Sequence, residues 1–326
     1  VSFYPQFIDK VNGEVVTAVG VPPMYDYESH PQEIQAVGHI LVQIARKYIA
    51  DCNGMIVASS TAYDGKSIEA VKDWFTSLGQ VVYPVGPLSL PDPPSGEKGK
   101  QVMEFLDKMQ AKHGEKSVIY MSFGTFFWPK NPSKVWAVIE EILASGTPLV
   151  WAHPSPLCQV PEDKLKMLRE SGITFETQWA PQEVILSHPA TGWFISHGGW
   201  NSTQEAMIYK VPQVFWPQAA DQPQNAATVC FNHKAGFELI EVRTGEHGTR
   251  LPYRFKDADP KDVPTFTVDA VRKEIRDVLQ KLKGDEGLIV RKNFEKMSEE
   301  FYGGWEEGGE VRQNLNEFLE KFVDGN

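Results

Sequence analysis

Between residues 117 and 242, short apolar runs alternate with segments whose apolar residues recur at helical spacing. Runs of this length, bounded by turn residues, are typical of strands buried on both faces, and strands separated by helices form parallel sheets. The runs lie at 117–125, 147–153, 173–179, 191–197, 211–217 and 237–242, with helices predicted at 133–144 and 181–187 and from about Ser202 and Gln222. The pattern predicts a doubly wound, parallel α/β domain.

The segments on either side of this alternation divide the chain. A helical pattern near 31–50, an apolar strand at 54–60 and a helix near 66–78 indicate part of a second α/β domain. The proline- and glycine-rich stretch that follows has the composition of a linker. Further helices are predicted near 267–283, 285–302 and 309–323. The predicted division is a partial N-terminal domain (1–85), a linker (86–100), a Rossmann-like C-terminal domain (101–305) and a C-terminal helix able to pack back on the N-terminal domain (306–326).

The acidic composition excludes some classes of partner. The formal net charge of −11 and the pI near 5.3 mean that the chain as a whole repels nucleic acid and anionic membrane surfaces. Cys52, Cys158 and Cys230 are far apart and form no CxxC pair or Cys/His cluster, which argues against a disulfide framework or zinc site and favours the cytoplasm. Every apolar stretch falls short of the roughly 20 residues that span a bilayer, so we expect no membrane span.

The sequence HGGWNSTQEA at 197–206 directly follows one of the predicted strands. Glycines let the backbone turn sharply and approach a ligand, and Asn201, Ser202 and Thr203 are able to cap the helix that follows. Ligands of open α/β sheets bind at this strand end, where helix N–H groups favour anions. The stretch contains no P-loop lysine and no GxGxxG. The alternative is an ordinary turn and cap in which Glu205 only complements the helix dipole.

A longer stretch decides between these interpretations. The 44 residues from Trp179 to Gln222 resemble, without insertion or deletion, the signature box of the family 1 UDP-glycosyltransferases of plant and fungal type. The segments YPVGPL at 83–88 and VIYMSFGT at 118–125 also look like parts of that family. The resemblance implies a GT-B fold, with a Rossmann-like C-terminal donor domain and a partial N-terminal Rossmann-like acceptor domain.

The resemblance also implies which residues hold the donor. Uracil would stack on the indole of Trp179, and the ribose hydroxyls would bind Glu205. The full set implied for UDP is Ser122, Thr125, Trp179, Ala180, Gln182, His197, Gly199, Asn201, Ser202 and Glu205, and the set implied for the sugar is Trp200, Asp221 and Gln222. A glutamine at the end of the box favours UDP-glucose. The UDP-sugar is then a co-substrate, and neither a cofactor nor a metal is expected.

The catalytic residues of the family have no counterpart in this sequence. The family mechanism is an inverting, metal-independent displacement in which a histidine, oriented by an aspartate, takes the proton from the acceptor hydroxyl. Two complete Rossmann-like domains need on the order of 400 residues. Of the histidines before the donor domain proper, His30, His39 and His113, none lies in the expected strand-then-loop setting. We therefore expect the histidine and aspartate upstream of Val1 or on another chain.

The resulting hypothesis is transfer of a sugar, with glucose favoured, to a hydroxyl of a small lipophilic acceptor, with the donor site on this chain. The alternative is a non-catalytic UDP-sugar-binding module or subunit that needs a partner chain. Two competing motifs are weaker. Asp257 and Asp259 spell the DxD of metal-dependent glycosyltransferases but lie in a polar loop. STAYDGKS at 60–67 resembles a Walker A motif but has Ser60 where the first glycine is required.

Overall fold

The computed structural model describes residues 11–33, 38–88 and 97–324. These residues form two compact units. The first contains the described residues 11–27, 38–88 and 296–324, and the second contains 28–33 and 97–295. Within these described ranges, no helix is both long enough and apolar enough to cross a bilayer.

The strands and helices follow the predicted alternation through the second unit. The strands are β1 (Val15–Val16), β2 (Met24–Tyr25), β3 (Gly54–Val57), β4 (Val81–Pro84), β5 (Val118–Ser122), β6 (Leu149–Ala152), β7 (Thr174–Thr177), β8 (Thr191–Ser196), β9 (Gln213–Phe215) and β10 (Gly236–Glu238). The helices are α1 (Gly38–Asp51), α2 (Thr61–Asp64), α3 (Lys66–Ser77), α4 (Glu97–His113), α5 (Pro132–Ala144), α6 (Glu162–Ser171), α7 (Gln182–Ser187), α8 (Trp200–Ile208), α9 (Gln222–Ala227), α10 (Gly245–Gly248), α11 (Val268–Lys283), α12 (Asp285–Gly303) and α13 (Glu310–Leu319).

The six strands of the second unit form one parallel sheet in the order β10-β9-β8-β5-β6-β7. The chain starts in the middle with β5, builds outward to β7, and then returns to β8 on the other side of β5. This reversal between β5 and β8 is the topological switch point at whose carboxyl edge doubly wound sheets bind ligands. The predicted doubly wound α/β fold is confirmed.

The sheet is buried because its central strands are apolar on both faces. Every residue of β5 and β8 is buried, and Trp151 of β6 is fully buried in the largest core cluster. Helices α5 and α11 pack against each other, and Arg272 of α11 bridges two carboxylates of α5. Helices α4 and α7 also contact the sheet, at β5 and at β8, and a parallel sheet requires such a covering by helices.

The first unit has a short antiparallel pair, β1 with β2, and a parallel pair, β3 with β4. Helix α13 packs on β4 through Val311, which lies against Tyr83 and Val85. The indole N–H of Trp305 donates to the carbonyl of Pro87 at 2.8 Å, and Asn314 Nδ2 donates to the carbonyl of Pro84 at 2.9 Å. These bonds fix the C-terminal segment in the first unit.

The segment 28–33 belongs to the second unit because its polar side chains are buried there. Glu28 Oε2 accepts from Arg243 Nη1 at 3.3 Å, and Glu28 Oε1 accepts from the backbone N–H of Tyr253 at 2.8 Å. Gln32 Oε1 accepts from the hydroxyl of Thr244 at 2.8 Å. The sequence-based boundaries placed 28–33 with residues 1–85 and placed 296–305 with the C-terminal domain. The division into two units depends on hydrogen bonds between residues far apart in the chain, and such bonds leave no pattern in the local sequence.

Several element bounds also differ from those predicted. Helix α4 starts at Glu97, inside the predicted linker, whose residues 89–96 lie outside the described part of the chain. Helix α6 was not predicted. Helix α8 begins at Trp200 rather than Ser202, because Gly199 in extended conformation occupies the N-cap position. A polar composition resembles a loop whether or not the segment is helical, so composition alone missed α4 and α6.

Candidate functional site

Four loops meet at the carboxyl edge of the sheet in the second unit. They follow β5, β7, β8 and β9, and together with Pro154 in the loop after β6 they border two adjoining cavities of about 350 Å³ and 320 Å³. The two cavities share Phe127, His197, Asn201 and Ser202. All the residues predicted for UDP or sugar line one cavity or both: Ser122, Thr125, Trp179, Ala180, Gln182, His197, Gly199, Trp200, Asn201, Ser202, Glu205, Asp221 and Gln222. The loops therefore bring together residues spread over a hundred positions of sequence.

A chain of hydrogen bonds forms the floor of the larger cavity. The hydroxyl of Tyr120 donates to Gln182 Oε1 at 3.0 Å, and Gln182 Nε2 donates to Ser202 Oγ at 3.1 Å and also to Glu205 Oε2. Burial raises the pKa of Glu205 above its ordinary value; the bond from Gln182 opposes the rise and the charge of Glu183 adds to it. Burial also raises the pKa of Tyr120, so its hydroxyl stays a donor. The carboxyl group of Glu205 is held as an acceptor facing the cavity, an arrangement that suits ligand hydroxyls.

The indole of Trp179 lies at the rim of the same cavity. It is 49% exposed, whereas the neighbouring Ala180 is buried. The hydroxyl of Thr177, the last residue of β7, donates to the carbonyl of Trp179 at 3.0 Å and fixes the turn into helix α7. A large aromatic face on a fixed turn at a cavity rim is a surface on which a planar ring can stack.

Glycines surround the imidazole of His197. Gly124 has φ +71°, and a Cβ added there would lie 3.0 Å from His197 Nε2. A Cβ added at Gly199 would lie only 2.6 Å from the same nitrogen. Gly198 has φ +82°, which also favours glycine. The glycines of both loops are thus needed for the backbone to pass close to the histidine.

The histidine itself is neutral at physiological pH. It is 8% exposed, and burial lowers its pKa to about 4, although the negative charge of Asp221 acts in the opposite direction. Its Nδ1 has no hydrogen-bond partner among the described residues. A neutral, buried imidazole with one unsatisfied nitrogen is a group that a bound ligand can satisfy.

The N-terminus of helix α8 opens onto the cavities, although the carboxylate of Asp221 already accepts from the N–H of Trp200, its first residue. Gly199 is the N-cap and makes no side-chain bond. The prediction that Asn201, Ser202 and Thr203 cap this helix is therefore wrong, because the helix already includes these residues. The described lining residues include no Lys or Arg, so the donors toward an anion are N–H groups, hydroxyls and the helix dipole.

The loop after β9 ends in Asp221 and Gln222. Asp221 Oδ2 accepts from the backbone N–H of Trp200 at 3.1 Å and from Asn225 Nδ2 at 2.8 Å. Asp221 stands at the N-cap position of α9 but makes no capping bond to that helix. Gln222 Oε1 accepts from the N–H groups of Gln218 and Ala219 at 2.8 Å and 3.1 Å and closes the turn. Asp221 is thus held against the start of α8, and the Gln222 side chain is held within the loop after β9.

The two competing motifs lie elsewhere. Asp259 caps a short turn by accepting from the N–H of Lys261 at 3.1 Å, and Asp257 is paired with Lys256 on the surface. Across the described ranges, no group of three His, Cys, Asp or Glu side chains is placed to hold a metal ion. In the Walker-like segment, the N–H of Thr61 is bonded to the carboxylate of Glu310 at 3.1 Å. That helix start is occupied by the protein's own anion.

His30 and His113, which were considered from the sequence, do not line these cavities. His30 lies in the second unit with its ring 5.9 Å from that of His247, and His113 is in the last turn of α4. The side chain of His39 is outside the described residues. Sequence reasoning missed Tyr120, which is hidden in a buried strand, and Phe126 and Phe127, which follow the SFGT turn and line the cavities. Two consecutive aromatic residues directly after that turn were the signal available for the last two.

The chain is similar to a known protein family and to curated proteins. A sequence model of the family described as "UDP-glucoronosyl and UDP-glucosyl transferase" matches residues 95–246. The UDP-glycosyltransferase eriJ of Hericium erinaceus is 32% identical over 331 residues, which cover 97% of this chain and 64% of that protein. The chain belongs to the UDP-glycosyltransferase family. The resemblance found in the sequence is therefore confirmed, and the chain spans less than two thirds of the length of that relative.

Solved UDP-glycosyltransferases share the fold. The Medicago truncatula enzyme UGT71G1, complexed with UDP-glucose, superposes with a TM-score of 0.72 at 23% identity, covering 96% of this chain and 64% of that one. A Siraitia grosvenorii UGT transferase in complex with UDP gives a TM-score of 0.73 at 24% identity, covering 97% and 70%. The predicted GT-B fold class is confirmed by these neighbours.

Proposed function

We propose that this chain forms the donor site of a UDP-sugar-dependent glycosyltransferase that transfers glucose, with inversion, to a hydroxyl of a small lipophilic acceptor. The observation that carries the proposal is the meeting of strand-end loops around two adjoining cavities at the switch point of the sheet. The solved relatives with UDP and UDP-glucose support the choice of ligand.

The proposed pose runs across the carboxyl edge of the sheet. Uracil stacks on Trp179, the ribose hydroxyls donate to Glu205, and the diphosphate lies at the N-terminus of α8 beside His197. The helix dipole and its N–H groups stabilise the negative charge that grows on the diphosphate as the sugar leaves. The sugar lies beside Asp221 and Gln222. Because Gln222 Oε1 already closes a turn, its Nε2 is the group proposed to bind a sugar hydroxyl.

The proton of the acceptor hydroxyl needs a base, and His197 is unsuited to the task. A pKa of about 4 makes its imidazole a weak base near pH 7, and the ring is enclosed by the glycines of the diphosphate loops. The base therefore remains the histidine, oriented by an aspartate, that the family resemblance implies outside the donor site. The role proposed for this chain is to bind and orient the donor and to stabilise the leaving group.

Turnover of UDP-glucose tests the proposal. UDP release and glucoside formation would be followed with a panel of phenols, using the chain alone and the chain mixed with the N-terminal part of the Hericium relative. Formation of a glucoside of inverted anomeric configuration, by the chain alone or by the mixture, supports the proposal. Binding of UDP without turnover in both samples would instead support the alternative, a non-catalytic UDP-sugar-binding module that serves a partner chain.

A further inference from the structure

Phe126 is an exposed aromatic side chain on the rim of the larger cavity. It is 71% exposed, while the adjacent Phe127 is partly buried. Both follow the SFGT turn at the end of β5, and both line the cavity that also contains Trp179. A phenyl ring exposed at the mouth of a polar cavity is available for contact with a planar ligand group.

The two phenylalanines face different parts of the site. The ring of Phe127 lies 6.4 Å from the ring of His197, on the side where the diphosphate is proposed. The Phe126 ring is 5.1 Å from that of Phe127 and nearly perpendicular to it, at 80°. The carbonyl of Phe126 accepts from the buried hydroxyl of Ser155, in the loop after β6, at 3.5 Å. This bond ties Phe126 to the part of the site that lies toward β7 and Trp179.

The sheet order sets the spacing of the strands that lead to the two aromatic residues. Strand β6 lies between β5, which leads to Phe126, and β7, which leads to Trp179. Neighbouring strands are about 4.8 Å apart, so the ends of β5 and β7 are roughly 10 Å apart. A planar base stacked between two rings, with about 4.5 Å between the centroids in each contact, needs roughly 9 Å between the outer rings. Ala152 and Pro154, at the end of β6, line the cavity between them without filling it.

We infer that Phe126 and Trp179 form an aromatic clamp that holds the nucleobase of the donor between two rings. The inference rests on the proposed function, because it takes the base site at Trp179 as given. It adds a specificity-determining contact from the β5 loop: Trp179 supplies one face of the stack and Phe126 supplies the other. Closing Phe126 over the base also removes its exposed phenyl surface from water, which favours the bound state.

Calorimetric titration of the full chain with two ligands tests the clamp. The ligands are UDP and ribose 5-diphosphate, which lacks only the base. Loss of one base-stacking ring typically weakens binding by about tenfold or more. Phe126→Ala should therefore lower the affinity for UDP to that extent and leave the affinity for ribose 5-diphosphate unchanged, whereas Phe126→Trp should retain UDP binding. Leu157→Ala, an exposed residue in the loop after β6 that does not line the cavity, is the matched control and should change neither affinity.

The outcomes separate the clamp from the donor site itself. Equal weakening of both ligands by Phe126→Ala would overturn the clamp, because it would indicate a distorted SFGT loop rather than a lost stacking partner. Unchanged UDP binding in Phe126→Ala, with weakened binding in Trp179→Ala, would also overturn the clamp while leaving the donor site intact. Unchanged UDP binding in both variants would contradict the base site, and with it the proposed function.

Discussion

Replacing Glu205 by glutamine should change ligand binding and stability in opposite directions. Gln182 Nε2 already occupies Oε2 of this carboxylate, which leaves the remaining acceptor capacity of the group for ribose hydroxyls. A hydrogen bond to a charged group contributes about 1.5–3 kcal/mol. Glu205→Gln keeps an acceptor for Gln182 but removes the charge, so the affinity for UDP should fall roughly 10- to 100-fold.

The assay is calorimetric titration with UDP and with 2′,3′-dideoxy-UDP. The deoxygenated ligand cannot donate ribose hydroxyl bonds, so Glu205→Gln should leave its affinity unchanged. Glu183→Gln is the matched control, because Glu183 lies on the same helix as Gln182, binds the hydroxyl of Tyr209 at 3.0 Å and does not line either cavity. An equal loss of affinity for both ligands in Glu205→Gln would refute the ribose assignment.

Stability should change in the opposite direction from binding. Because burial raises the pKa of Glu205 in the folded chain above its ordinary value of 4.5, the folded state takes up the proton more readily than the unfolded state. The contribution of this group to stability is present below the unfolded pKa and is lost as the pH rises through the folded pKa. Glu205→Gln removes this loss, so its free energy of unfolding relative to wild type should increase between acid and neutral pH. Urea unfolding at several pH values measures this difference.

Two further pairs of substitutions test the glycine of the SFGT turn and a buried ion pair. Gly124→Ala and Gly79→Ala both place a side chain at φ near +70°, at +71° and +73°, and each should lose about 1–2 kcal/mol of stability by urea unfolding. Only Gly124→Ala should also weaken UDP binding, since its Cβ meets the imidazole whereas that of Gly79 meets nothing within 4 Å; equal UDP affinity in the two variants would contradict this. Arg243→Met should cost about 3–5 kcal/mol, because it removes the cation that is paired with the buried carboxylates of Glu28 and Glu238. Arg276→Met, on the surface, should cost less than about 1 kcal/mol. Similar losses in the two variants would show that the buried ion pair does not matter.

Local sequence patterns predict the sheet but not the connections between distant segments. Strands β5 to β9 lie inside the predicted apolar runs and β10 overlaps the last of them, because strands buried on both faces need apolar residues. The burial of Glu28 against Arg243 joins positions 215 residues apart, and no local pattern signals it. The bonds of Trp305 and Asn314 to the end of β4 are equally remote in sequence. For this reason the sequence indicates where the elements are but misplaces the boundaries between the two units.

The site was predictable for a different reason. The signature stretch from Trp179 to Gln222 is continuous in sequence, and its end points fall at successive strand ends, so residues recognised by their spacing also meet in space. The bond between Tyr120 and Gln182 was not predictable, since an inward-facing strand residue looks like core. The cap at Gly199 was misassigned because Ser, Thr and Asn are the commoner N-cap residues and three of them follow it.

The central claim is that this chain holds a UDP-sugar donor at the switch point of its second unit. Calorimetric titration of the chain with UDP-glucose, beside the Trp179→Ala variant, tests it most directly. The account predicts one binding site per chain. In Trp179→Ala, which lacks the stacking face, the affinity should be lower by about tenfold or more. Absence of binding to the unaltered chain, or equal affinity in the chain and the variant, would contradict the account.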